Sequence, residues 1–176
     1  MKILLDETTL QEGVRRMARD ITSIYGDRPV TMIGVLTGSV VLVADLIRQL
    51  SMPLRVGVVQ ASSYRGTTTR GHLVINSDLM PDITGRDVVI VDDIFDTGNT
   101  LVELLAMMDR LGPMSVRTAV LLRKTGRQEV TYEPNFVGFE IPDEFVVGYG
   151  LDYHDAYRNL PFVAALESQE IDSTPP

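Results

Sequence analysis

Apolar residues Leu10, Val14, Met17, Ala18, Ile21 and Ile24 recur at helical spacing, which predicts an amphipathic helix over residues 9–25. Thr9 and Glu12 form a T-x-x-E capping-box pattern at its start, and Gly26 ends it. Val30–Leu36 is apolar on both faces, as in a strand buried within a parallel sheet. The pattern continues with a helix over 40–50, closed by Ser51 and Pro53, and a strand over 54–60. Residues 61–71, ASSYRGTTTRG, lack apolar periodicity and read as a loop able to act as a lid over a site. A short strand over 72–76, a strong one over 88–91 and a helix over 100–111, stopped by Gly112-Pro113, come next. Strands are expected over 116–122, Phe136–Ile141, 145–147 and 162–166, and then a polar, frayed tail over 167–176. Strand, helix, strand, helix, strand implies an α/β fold around a right-handed parallel sheet, without internal repeat or second domain boundary.

Composition narrows the chemistry. The chain has 176 residues and a net charge of -8, from 16 basic and 24 acidic side chains. An acidic balance argues against nucleic acid or a membrane surface as the main partner, and suggests that a divalent cation assists any anionic substrate. There are no cysteines, so disulfides, zinc-thiolate sites and thiol nucleophiles are excluded; this fits a cytoplasmic protein. No apolar run is long enough to span a bilayer, and the first residues do not read as a secretory signal.

The chemistry concentrates in residues 88–100, VVIVDDIFDTGNT. A buried strand ends in Asp92 and Asp93, and the turn 96–100 opens a helix. In open α/β sheets the ligand lies at the carboxyl ends of the strands. Free backbone N–H groups and the positive end of a helix dipole favour a phosphate there. Thr97 and Thr100 add hydroxyl donors, and Gly98 permits close approach. The turn contains no lysine, and neither the Walker nor the dinucleotide glycine pattern is present, so a terminal monophosphate suits it better than a triphosphate. Ribose hydroxyls or a magnesium ion would give the paired aspartates a partner. Three acids around one Thr-Gly turn exceed what helix capping needs.

This string resembles the phosphoribosyl pyrophosphate (PRPP) motif of type I phosphoribosyltransferases. Further stretches are similar to the hypoxanthine-guanine phosphoribosyltransferase family: Ala61-Ser62-Ser63-Tyr64 to the start of its catalytic loop, Leu121-Leu122-Arg123-Lys124 to its base-reading strand, and residues 134–153, PNFVGFEIPDEFVVGYGLDY, to its purine hood. The resemblance covers about residues 3–166. It implies one phosphoribosyltransferase domain over 1–166, with a central parallel sheet flanked by helices, and a small hood built from the N-terminal residues and about 134–166.

It also implies transfer of ribose 5-phosphate from PRPP to N9 of hypoxanthine or guanine, with Mg2+ as cofactor, in a homodimer or homotetramer. By the same resemblance Asp96 is the general base near purine N7. Thr97, Gly98, Asn99 and Thr100 hold the 5-phosphate, and Asp92 and Asp93 hold the ribose hydroxyls directly or through magnesium. Lys124 donates to O6, Phe145 stacks on the base, the backbone of Val146 reads its edge, and Ile94 completes the purine site. Asp152 is a further magnesium ligand near the purine 2-position. Thr37, Gly38, Ser63, Tyr64 and Arg158 serve pyrophosphate and the lid. One departure stands out: many relatives carry a basic residue at the position of Thr37, so the pyrophosphate loop lacks a positive charge. A xanthine-preferring enzyme and an RNA-binding attenuator on the same scaffold are the alternatives; a doubly wound oxidoreductase is remote without its glycine fingerprint.

Overall fold

The computed structural model describes residues 1–63 and 73–171. Its larger sheet has six strands in the order β4-β3-β2-β5-β6-β7. These are β2 (Val30–Leu36), β3 (Leu54–Ser63), β4 (Leu73–Asn76), β5 (Asp87–Phe95), β6 (Ser115–Lys124) and β7 (Phe136–Ile141). All pairs are parallel except β3 with the edge strand β4. A smaller antiparallel sheet, β1-β9-β8, joins β1 (Lys2–Leu5), β8 (Val146–Val147) and β9 (Val163–Ala165). Strand β1 has no counterpart in the sequence reading. Residues 136–141, assigned in the sequence to the hood, pair in register with β6 in the large sheet.

Alternation along the central strands divides the core. Val89 and Val91 of β5 join one apolar cluster with Val30 and Met32 of β2, while Val88 and Ile90 join a second with Ile33 and Val35. Helices α1 (Glu7–Tyr25) and α2 (Val40–Ile47) cover the first face, and α3 (Asn99–Asp109) covers the second. Burial on both faces explains why these strands carry no polar alternation.

Helix α1 starts earlier than the T-x-x-E pattern implied. Asp6 is the N-cap, and its carboxylate accepts the Thr9 amide at 2.8 Å. Thr9 therefore sits inside the first turn, its amide already satisfied by an aspartate that competes well for the cap. Tyr25 rather than Ile24 is buried at the other end; Ile24 is exposed. Helices α2 and α3 end two or three residues before their expected limits. Residues Ser168–Ile171, expected to fray, form the short helix α4, held by the Met1 amine at 2.7 Å from Glu170. No helix among the described residues is long and apolar enough to cross a membrane.

The connections place the site. From β2 the chain moves outward to β3, and from the adjacent β5 it moves outward in the other direction to β6. The carboxyl ends of β2 and β5 thus flank a topological switch point, where an open sheet leaves a crevice.

Candidate active site

A cleft of about 320 Å³ occupies that crevice. Leu36, Thr37 and Gly38 wall it from the end of β2, residues 92–98 from β5, and Asp152 and Arg158 from the segment between β8 and β9. The Leu36–Thr37 peptide is cis. Gly38 is wedged in place: a β-carbon there would lie 1.6 Å from Asp93 Oδ2, and one on Gly150 would lie 2.1 Å from the Gly38 carbonyl oxygen. Backbone therefore lies directly against the cleft at Thr37-Gly38, offering amides where the sequence offers no cation.

The turn after β5 is a phosphate cradle in form. Gly98 is the N-cap of α3 with φ 87°, a left-handed conformation that favours glycine, and no side-chain oxygen caps the helix. A β-carbon at Gly98 would also meet Val130 at 2.4 Å. The Asn99 amide makes one long bond to Thr97 Oγ1, at 3.5 Å, and the first turn with its dipole favours an anion. The preceding turn is anchored by the Glu129 amide, which donates to the Thr97 carbonyl at 2.9 Å. Asn99 Nδ2 donates to Glu129 Oε2 at 2.9 Å.

Asp92 is buried, and its Oδ1 accepts the Asp93 amide at 3.0 Å. Desolvation pushes the Asp92 carboxyl well above its ordinary value and raises that of Asp93 as well, and the charge of Asp93 raises Asp92 further. Hydrogen bonds to Asp92 and to backbone amides, with the charge of Arg158, pull Asp93 partly back. Asp152 lies on the other side, its Oδ1 2.8 Å from Arg158 and its Oδ2 accepting the Asp155 amide at 2.9 Å. Arg158 also donates to the Gly150 carbonyl at 2.7 Å.

A second cavity of about 200 Å³ adjoins the first, sharing Asp93, Ile94, Asp96 and Asp152 with it and adding Lys124, Phe145, Val146 and Leu151. The Phe145 ring is 43% exposed and edge-on to Tyr153, 5.4 Å between centroids. It presents an aromatic surface to a pocket rather than to the core, as flat-ring stacking requires. Val146 begins β8, one residue later than the strand read from the sequence. Lys124, at the end of β6, is buried and points its ammonium to Asp96 at 3.6 Å and Asp143 at 3.3 Å.

The fold thus brings Thr37, Gly38, Asp92, Asp93, Ile94, Asp96, Thr97, Gly98, Thr100, Lys124, Phe145, Val146, Asp152 and Arg158 around two connected cavities. Asn99 is exposed beside them. Tyr64 and the side chain of Ser63 lie outside the described residues. Sequence reasoning missed Arg127, whose Nε is 3.0 Å from Asp96 Oδ1, and Asp143. Both are ordinary charged residues in loops, and only proximity marks them.

A family model described as a phosphoribosyl transferase domain matches residues 2–154. The chain belongs to that family. It is 40% identical over 168 residues to the hypoxanthine-guanine phosphoribosyltransferase of Staphylococcus epidermidis, covering 95% of this chain and 94% of that protein. It is 41% identical to the hypoxanthine phosphoribosyltransferase of Salmonella typhimurium over 166 residues, covering 93% of each. A crystal structure of a hypoxanthine-guanine phosphoribosyltransferase from Bacillus anthracis, with HEPES in its active site, superposes with a TM-score of 0.90 at 39% identity, covering 95% of this chain and 99% of that one. The two-sheet architecture described above is that of the type I phosphoribosyltransferases.

Proposed function

We propose that the protein transfers the 5-phosphoribosyl group of PRPP to N9 of hypoxanthine or guanine, giving IMP or GMP and pyrophosphate in purine salvage. The observation that carries this reading is the junction of the two cavities: an anion cradle with paired aspartates shares Asp93, Ile94, Asp96 and Asp152 with a pocket that holds a buried lysine and an open aromatic ring.

In this reading Thr97, Gly98, Asn99 and Thr100 receive the 5-phosphate at the uncapped start of α3. Asp92 and Asp93 accept the ribose hydroxyls, and the backbone of Thr37-Gly38 with Arg158 receives pyrophosphate. Phe145 stacks on the base, Ile94 and Val146 line its pocket, and the Lys124 ammonium donates to O6. An ammonium has no acceptor to offer the amino group of adenine, so it selects a 6-oxo base. As the N9–C1′ bond forms, the bond from C1′ to pyrophosphate breaks and its electron pair leaves with pyrophosphate. The proton on N7 passes to an oxygen of Asp96.

The donor set fits a magnesium ion. Asp92, Asp93 and Asp152 supply hard oxygens, yet among the described residues no three or more His, Cys, Asp or Glu side chains gather to hold a metal ion by themselves. Magnesium commonly takes one or two carboxylates and completes its shell with water and substrate phosphates. When bound, it would neutralise charge on the departing pyrophosphate.

The test is nucleotide formation from PRPP and Mg2+ with each of hypoxanthine, guanine, xanthine and adenine. Product from hypoxanthine or guanine is expected. Product from xanthine alone would move the base preference, and no product from any 6-oxopurine would overturn the reading.

A further inference from the structure

Four charged side chains close an alternating ring, and two of them, Asp96 and Lys124, line the second cavity. Lys124 Nζ is 3.6 Å from Asp96 Oδ2 and 3.3 Å from Asp143 Oδ1. Arg127 Nε is 3.0 Å from Asp96 Oδ1 and 3.6 Å from Asp143 Oδ1. Each cation faces both acids, and each acid faces both cations. The four come from three places in the fold: Asp96 from the end of β5, Lys124 and Arg127 from the end of β6 and its loop, and Asp143 from the turn after β7.

The backbone beneath the ring is stapled. Gln128 Nε2 donates to the carbonyls of both Lys124 and Asp96. Thr125 N donates to the Ile141 carbonyl at 3.0 Å, and Glu129 N to the Thr97 carbonyl at 2.9 Å. Isolated pairs of exposed ions contribute little. These are not isolated, because their members include the two groups assigned to the base.

The atoms divide the work. Asp96 turns Oδ1 to Arg127 and Oδ2 to Lys124. A 6-oxopurine whose O6 takes the lysine and whose N7 meets the aspartate needs only the Lys124–Asp96 edge to open. Two other contacts then retain their purpose. Arg127 still holds Oδ1, which leaves Oδ2 to accept the N7 proton. Asp143 still faces the ammonium at 3.3 Å, keeping it aimed although it is largely enclosed.

We propose that Arg127 and Asp143 are positioning residues for base recognition: Asp143 holds Lys124 as the reader of the 6-oxo group, and Arg127 holds Asp96 with Oδ2 toward N7. This rests on the roles proposed for Lys124 and Asp96.

The experiment is steady-state kinetics with hypoxanthine, adenine and PRPP each varied, on the wild type and on Asp143→Asn, Asp143→Glu, Arg127→Gln and Arg127→Lys, with each variant's thermal midpoint measured alongside. Asp143→Asn should raise KM for hypoxanthine about tenfold and narrow the preference over adenine, with KM for PRPP unchanged. Arg127→Gln should lower kcat about tenfold with a smaller change in KM, and Arg127→Lys should recover part of it. Base and PRPP parameters that move together, or variants that match the wild type while the wild type is active, would overturn this proposal alone. A wild type that forms no nucleotide from a 6-oxopurine would overturn it together with the functional reading. If a variant unfolds, Asp143→Glu and Arg127→Lys carry the test: each should keep more of the base preference or turnover than its neutral counterpart.

Discussion

Gly38 and Asp93 are in such close contact that a single added carbon would collide: a β-carbon on Gly38 would stand 1.6 Å from Asp93 Oδ2 and 2.5 Å from its Cγ. The loop after β2 and the acid at the end of β5 are therefore one unit, and glycine is required by space rather than by its backbone angles. Gly38→Ala should push either the carboxyl or the loop out of place. Crowding of this kind costs about 1–3 kcal/mol, and here it also spoils the PRPP cleft. We expect a lower thermal midpoint and a large rise in KM for PRPP. The double variant Gly38→Ala/Asp93→Ala should recover stability but not PRPP binding. An unchanged KM in the single variant would show that the loop does not contact PRPP.

The carboxyls of buried Asp92 and half-buried Asp93 set a pH dependence. Burial raises both above their unfolded values, so between the unfolded and folded pKa values the native state holds more protons than the unfolded chain. Stability then falls as pH rises through that window, starting near the usual aspartate value of 3.8. Below that value both states are protonated and the penalty is absent. Asp92→Asn removes the charge and keeps an oxygen to accept the Asp93 amide. It should therefore raise the thermal midpoint at pH 7.5, leave it nearly unchanged at pH 4, and weaken PRPP binding. A midpoint that drops at pH 7.5 would contradict this. Such a trade of stability for a functional charge is common at active sites.

Asp96→Asn should separate binding from chemistry. The anion cradle, Asp92 and Asp93 are untouched by it, so KM for PRPP should stay within a fewfold. Loss of the proton acceptor should slow turnover about 10²–10⁴-fold. Turnover near that of the wild type would remove Asp96 from its role as base.

The sequence made the frame readable because its strongest signals are physical necessities. Strands buried on both faces, such as Val30–Leu36, must be continuously apolar, and the Asp-Asp and Thr-Gly pairs after β5 sit where a parallel sheet places ligands. What it hid were relations between distant residues. Strand β1 is only four residues long and its partner β9 lies at the far end of the fold, with Lys2 paired to Ala165. Phe145 differs from a core phenylalanine only by facing a cavity. Arg127 and Asp143 each look like a solvated charge until the ends of β5, β6 and β7 converge. Thr9 resembles a cap in the sequence, but the Asp6 carboxylate takes that place in the first turn.

Glu129 supplies the last test, because it places a carboxylate beside the donors meant for a phosphate. Asn99 Nδ2 bonds to Glu129 Oε2 at 2.9 Å, and the Glu129 amide holds the Thr97 carbonyl. An incoming 5-phosphate must share or displace that side chain, and the two charges repel through an exposed, screened path. Glu129→Gln keeps a carbonyl acceptor for Asn99 and leaves the backbone bond intact, so it isolates the charge. KM for PRPP should fall about two- to fivefold at low ionic strength, a difference of order 1 kcal/mol or less. Added salt should shrink the gap, and KM for hypoxanthine should not move. A rise in KM for PRPP would mean that the Glu129 charge supports the cradle instead of competing for it.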